Sequence, residues 1–124
     1  MKQISEFIAR ILLAQIFFLA GYNKIGGYES TQGYMNATGI PGELLPLVIL
    51  LELGGGLALI AGWKTQWISL ILALFTVAAA ILFHNNFDDQ MQLIMFQKNI
   101  AIAGGLILLA VYGAGTYSVD RLKR

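Results

Sequence analysis

Four apolar stretches, over residues 7–22, 44–62, 67–83 and 100–117, occupy most of the 124-residue chain. A membrane span needs about 20 mostly apolar residues, with roughly 17–25 the usual range. The second and fourth stretches reach that length directly. The third reaches it with Gln66 and His84 at its ends, and the first if its helix runs on toward Lys24. Only 12% of the residues are charged, whereas 57% are hydrophobic and the mean hydropathy is +0.70. A soluble domain carries about 25% charged residues. The pattern predicts an all-α integral membrane four-helix bundle, one domain over 1–124 with helices at about 5–24, 44–62, 66–84 and 97–117. Met1-Lys2 before an apolar run has the look of a signal peptide. Arg10 interrupts that run and Ala20-Gly21-Tyr22 is a poor cleavage site, so the segment reads as a retained first helix.

The same composition removes several functions. A net charge of +1 offers no basic field for nucleic acid. The absence of cysteine excludes disulfides, thiol relays and iron–sulfur ligation by this chain alone. A single histidine excludes a bis-histidine haem site within one chain, and His84 with Asp88, Asp89 or Asn85 has no metal-ligand spacing, so no metal is expected. The longest connection, 23–43, carries Gly26-Gly27, Gly33, Gly39 and Pro41-Gly42, which form turns. Between them 28–38 fits a short interfacial helix with Tyr28, Tyr34 and Met35 toward lipid. Asn36-Ala37-Thr38 fits a glycosylation sequon, a frequent chance match that is set aside. If the four spans alternate, Lys2, Arg10, Lys64, Arg121, Lys123 and Arg124 fall on one side, which the positive-inside rule makes cytoplasmic together with both termini.

Charges within or beside the spans are where function is to be sought, because a charge in hydrocarbon costs at least ~2.5–3.5 kcal/mol. Arg10, Phe17, Gly21 and Lys24 share one helical face, and Leu45, Ile49, Glu52, Gly56 and Leu59 share another. A carboxylate in the middle of a span must find a cation or take up a proton. Arg10 is the expected partner of Glu52, across a depth gap of about 7 Å. The pair is either a helix-pairing lock or the lining of a polar cavity, and Arg10 alone would also serve as a snorkelling anchor. At the other end, Lys24, His84, Lys98 and Asn99 come to one membrane face. Ala73, Val77, Ala80 and His84 form one side of the third helix, which turns His84 inward as a proton carrier or a ring bonded to backbone or water. Lys98 opposes the dipole of the helix it opens and needs an anion: Asp88, Asp89, Glu43 or a ligand; otherwise it is a solvated lysine. Gly54-Gly55-Gly56 and Gly104-Gly105 read as close-packing surfaces, with room for a flat ligand beside Glu52 as the other reading.

The run Arg10-Ile-Leu-Leu-Ala-Gln-Ile-Phe-Phe-Leu-Ala-Gly21-Tyr-Asn-Lys24 resembles the opening motif of the DoxX family. Gly39-Ile-Pro41, the span holding Glu52 and the glycines, His84 after the third helix and Lys98-Asn99 before the fourth extend the resemblance over nearly the whole chain. It implies a small four-helix protein of a bacterial inner membrane. Relatives include the DoxD subunit of a thiosulfate:quinone oxidoreductase and proteins associated with quinone or thiol stress. Carried over, Arg10, Lys24, Glu52, His84, Lys98 and Asn99 are the family-like polar positions. The expected function is binding of a quinone or similar redox-active lipid or small molecule within the bundle. The alternatives are a non-enzymatic anchor or assembly subunit of a redox complex, and a small transporter or channel. The partners expected are the lipid bilayer and either further copies of the chain or a redox protein.

Overall fold

The computed structural model describes residues 2–122, and Lys123 and Arg124, counted above in the charge asymmetry, lie outside them together with Met1. Four helices cross: α1 Lys2–Gly26, α3 Gly42–Ala61, α4 Thr65–Phe83 and α5 Gln90–Tyr112. The short α2 (Tyr28–Ala37) joins α1 to α3, and α6 (Val119–Leu122) closes the described chain. Among the described residues there is no strand. The protein is an all-α membrane four-helix bundle. Its outer surface is apolar, with Leu12, Leu50, Leu74 and Val111 all more than half exposed. In water such a surface would be a liability, but hydrocarbon accepts it, because the helices satisfy their own backbone.

Each boundary has a local cause. Gly26-Gly27 ends α1, and α2 ends where Gly39 takes φ +88. The loop after α2 is pinned by Asn36, whose Oδ1 accepts the Gly42 N–H at 2.8 Å, and by Gln32, whose Nε2 donates to the Gly42 carbonyl at 3.2 Å. Gly62, at φ +74, turns the chain out of α3. The start of α4 is capped from far along the sequence: Asp120 accepts the N–H groups of Lys64 (2.7 Å) and Thr65 (2.9 Å). Asp89 caps α5 by accepting the Met91 N–H at 3.0 Å. That cap moves the start of α5 back to Gln90, and Gly113 (φ +83) ends it at Tyr112, short of the 97–117 expected from hydropathy. Residues 113–118 are apolar enough to look like span but fold as irregular chain under the bundle end.

Glycine sets how closely α1 and α3 approach. A Cβ on Gly56 would lie 2.7 Å from the backbone nitrogen of Phe18, and one on Gly21 would lie 2.8 Å from that of Leu53. Backbone stands where side chains normally separate helices, so neither position tolerates a methyl group without movement. Ala14, Phe17, Leu59, Leu72, Ala73 and Leu106 form the core between the four spans. Within α3 the helix widens to a π-turn over Leu50–Gly54. Such turns are often found at functional sites, and this one contains Glu52.

Candidate functional site

Glu52 is buried inside the bundle, and its Oε1 lies 2.7 Å from Lys24 Nζ. Lys24, not Arg10, is therefore its partner. The glycine contacts explain why: they set Gly21 beside Leu53 and Phe18 beside Gly56, which puts the last turn of α1 level with Glu52. Arg10 sits opposite Ile60, eight residues further along α3. At 1.5 Å per residue that gap is about 12 Å, not the 7 Å expected from the sequence.

Arg10 is 1% exposed and serves a different purpose. Its Nη1 donates to the Ala114 carbonyl at 2.6 Å; its Nη2 donates to those of Tyr117 at 2.7 Å and Ile60 at 3.3 Å. The guanidinium also lies over the Phe7 ring, 5.2 Å from its centroid. Three carbonyls from irregular chain and a helix end thus find a donor where water is scarce. With Asp120 capping α4, this fastens 113–122 across that end of the bundle.

At the opposite end, a cavity of about 370 Å³ opens beside the Lys24–Glu52 pair. Its deep wall is apolar: Phe17 and Ala20 from α1, Val48 from α3, Phe75 and Ala79 from α4, Ile102 from α5. Its polar rim is formed by Lys24, Glu52, His84, Asn99 and Thr76, with Thr31 and Tyr34 contributed by α2. His84 Nδ1 pairs with Gln92 Oε1 at 3.2 Å. Asn99 Nδ2 donates to the Thr76 carbonyl at 3.3 Å, which ties α5 to α4 and leaves the amide oxygen of Asn99 without that bond. The structure therefore brings four of the predicted residues, Lys24, Glu52, His84 and Asn99, to one cavity. Arg10 lies at the far end, and Lys98 is exposed on α5 outside the cavity wall. No group of three or more His, Asp or Glu side chains suited to a metal occurs among the described residues.

Helix α2 covers the cavity. Met35, expected toward lipid, is 4% exposed and lines the pocket instead. Tyr34 stacks on Phe83 with ring centroids 5.6 Å apart, and its hydroxyl donates to the Phe83 carbonyl at 3.3 Å. The Tyr34–Phe83 contact joins residues 49 positions apart, which no local pattern reports, while Tyr34 keeps part of its ring on the outer surface as expected. The whole arrangement, an apolar pocket with a few convergent polar groups, has the form of a small-molecule site.

The DoxX family model matches residues 6–85, which takes in the first three spans, the Lys24–Glu52 pair and His84. The chain is 50% identical to the inner membrane protein YqjF of Escherichia coli K12, over 98% of this chain and 94% of that protein. It is 32% identical to the inner membrane protein YphA of the same organism, over 92% and 86% of the two chains. It is also 25% identical to CatD of Bacillus subtilis 168, over 86% and 84%, a protein whose name marks it as a candidate oxidoreductase. No solved structure matches the chain at comparable stringency. With a family match over more than half its length and a relative half identical from end to end, the chain belongs to the DoxX family.

Proposed function

We propose that this DoxX-family protein binds a small redox-active molecule of the quinone class in the cavity beside Lys24 and Glu52, within the bacterial inner membrane. The observation that carries the reading is the buried carboxylate and its lysine facing an apolar chamber. The ammonium can donate to a quinone oxygen, the carboxylate can accept from a hydroxyl, and His84 and Asn99 supply further donors and acceptors around the rim. The volume lies within the roughly 300–1,000 Å³ of small-molecule sites. The name of the CatD relative agrees with redox association. The bundle end bearing Lys2, Arg10, Lys64 and Arg121 faces the cytoplasm on this reading, so the cavity opens toward the other face.

The experiment is a titration of purified protein with a soluble benzoquinone by calorimetry, together with analysis of extracted lipid for co-purified quinone. Glu52→Gln keeps the shape but removes the charge and is expected to weaken binding at least about tenfold, the loss of one charge-assisted hydrogen bond. Undetectable binding to the wild-type chain, with no quinone in the extract, defeats the reading. A conduit is less well supported, since Arg10 and 113–122 fill the far end of the bundle. An assembly subunit of a redox complex is favoured by one feature: α5 is the least buried span, and a Cβ on Gly104 would meet no other part of the bundle within 4 Å. Co-purification of a defined protein, lost on Gly104→Leu, would support that second reading.

A further inference from the structure

We infer that a second cavity, at the Arg10 end of the bundle, holds the head group of one phospholipid bearing a primary amine, with its phosphate at Arg10 and its ammonium at Glu6. This cavity, of about 530 Å³, lies between α1 and α5 and shares no lining residue with the one beside Glu52. The inference therefore stands apart from the quinone reading. The α1 wall carries Lys2, Glu6, Arg10 and Leu13, which stand one above the other on one helical face. Along that face a cation, an anion and a second cation are followed by an apolar residue. Ala9, Gly105 and Gly113 have little or no side chain, which leaves the space open.

Two of these charges keep bonding capacity that the protein does not use. Arg10 is buried, and its Nε–H has no acceptor in the protein. Its other donors go to carbonyls, and among the described residues no carboxylate stands within ion-pair distance of it; Asp120 acts on it from further off. A buried charge is costly unless it is both hydrogen-bonded and paired. Glu6 is half-buried against Gly115, where a Cβ would come within 2.5 Å of its Oε2, and it pairs with neither Lys2 nor Arg10. Arg10 holds the carbonyl of the preceding residue, Ala114. The two charges thus converge on residues 114–115 without meeting, and an anion beside one and a cation beside the other would complete both.

The depth of the cavity suits a lipid. Tyr112 on its rim is exposed, and so are Trp63 and Trp67 at the turn into α4. Gln66, beside Trp67, donates to the Val111 carbonyl at 3.3 Å, which sets these aromatic residues at one level. Such residues gather at the head-group layer of a bilayer. Exposed Leu12 and Leu108 beneath them meet hydrocarbon. Arg10 lies one turn deeper than Glu6, about 6 Å by helix rise. A phospholipid has the same order, its phosphate near the tails and its amine two carbons further out. Basic pockets between spans take lipid phosphates at this level. The carboxylate makes the choice among them: an anionic head group would bring no cation to Glu6, and a quaternary amine has no N–H to donate to it.

The test offers the purified full chain an equimolar mixture of phosphatidylethanolamine, phosphatidylcholine and phosphatidylglycerol with identical acyl chains, and counts retained lipid by native mass spectrometry. One phosphatidylethanolamine per chain is expected, preferred about tenfold over phosphatidylcholine, the worth of one charge-assisted hydrogen bond. Glu6→Gln should bring that preference to within about twofold. Should Glu6→Gln fail to fold, phosphatidylethanolamine with a photoreactive group at its glycerol is expected to label the wild-type peptides holding Ala9–Leu13 and Leu108–Tyr112. No retained lipid, equal retention of the three head groups, a preference for phosphatidylglycerol, an unchanged preference in Glu6→Gln, or labelling spread over all four spans overturns the inference. Displacement of the lipid by an equal concentration of phosphoethanolamine makes the occupant a soluble phosphate ester and overturns it too. Benzoquinone binding beside Glu52 is expected to be the same with and without the lipid, so failure here leaves that reading standing, and the reverse.

Discussion

Replacing Arg10 by alanine removes a buried side chain that donates to three carbonyls. Two of its three hydrogen bonds, at 2.6 and 2.7 Å, are charge-assisted and short; the third, at 3.3 Å, is weak. Hydrogen bonds from charged groups contribute about 1.5–3 kcal/mol each, and a buried acceptor left unpaired costs about 1–3 kcal/mol. The two short bonds alone give about 3–6 kcal/mol; water reaching the freed carbonyls of Ala114 and Tyr117 offsets part of this, so ~3–5 kcal/mol is expected. The loss should be local first. Hydrogen–deuterium exchange in detergent or nanodiscs should show 113–122 opening well before the spans, and reversible unfolding should report the full destabilisation. Arg10→Lys should recover only part of it, because one ammonium cannot present the forked donors that reach three carbonyls. The benzoquinone binding proposed for the cavity beside Glu52 should be unchanged in both variants, since Arg10 lies outside that cavity. If Arg10→Ala costs less than about 1 kcal/mol and 113–122 stays protected, the clamp described here is wrong.

Two further outcomes follow from individual contacts. Gly56→Ala places a methyl group 2.7 Å from the Phe18 backbone and should destabilise by about 1–3 kcal/mol in an unfolding assay, whereas Gly104→Ala, with open space around it, should be neutral or slightly stabilising; similar effects at both sites would contradict the packing of α1 on α3. Asp120→Ala removes the cap of α4 and should cost about 0.5–2 kcal/mol, with faster amide exchange at Lys64 and Thr65; unchanged exchange there would show that the cap is not held in solution.

Local chemistry decided what the sequence could decide alone. Apolar length fixed four spans, and helical spacing identified the inward faces of Arg10, Phe17 and Gly21 and of Leu45, Glu52 and Leu59, all of which the structure buries apart from the partly covered neighbours. Of the glycine runs, Gly55, Gly56 and Gly105 stand at the close contacts expected, whereas Gly54 and Gly104 do not. Hydropathy could not locate the ends of α5, since Asp89 caps it early and Gly113 stops it early while apolar residues continue. Nor could it pair the charges. Which cation meets Glu52 depends on the relative heights of two helices, and those heights are set by where Gly21 and Gly56 let the backbones touch. Tertiary structure alone therefore gave Lys24 to Glu52, Arg10 to three carbonyls and Tyr34 to Phe83. The physical reason is that burial is a property of one helix and its periodicity, whereas a partner is a property of two helices and their register.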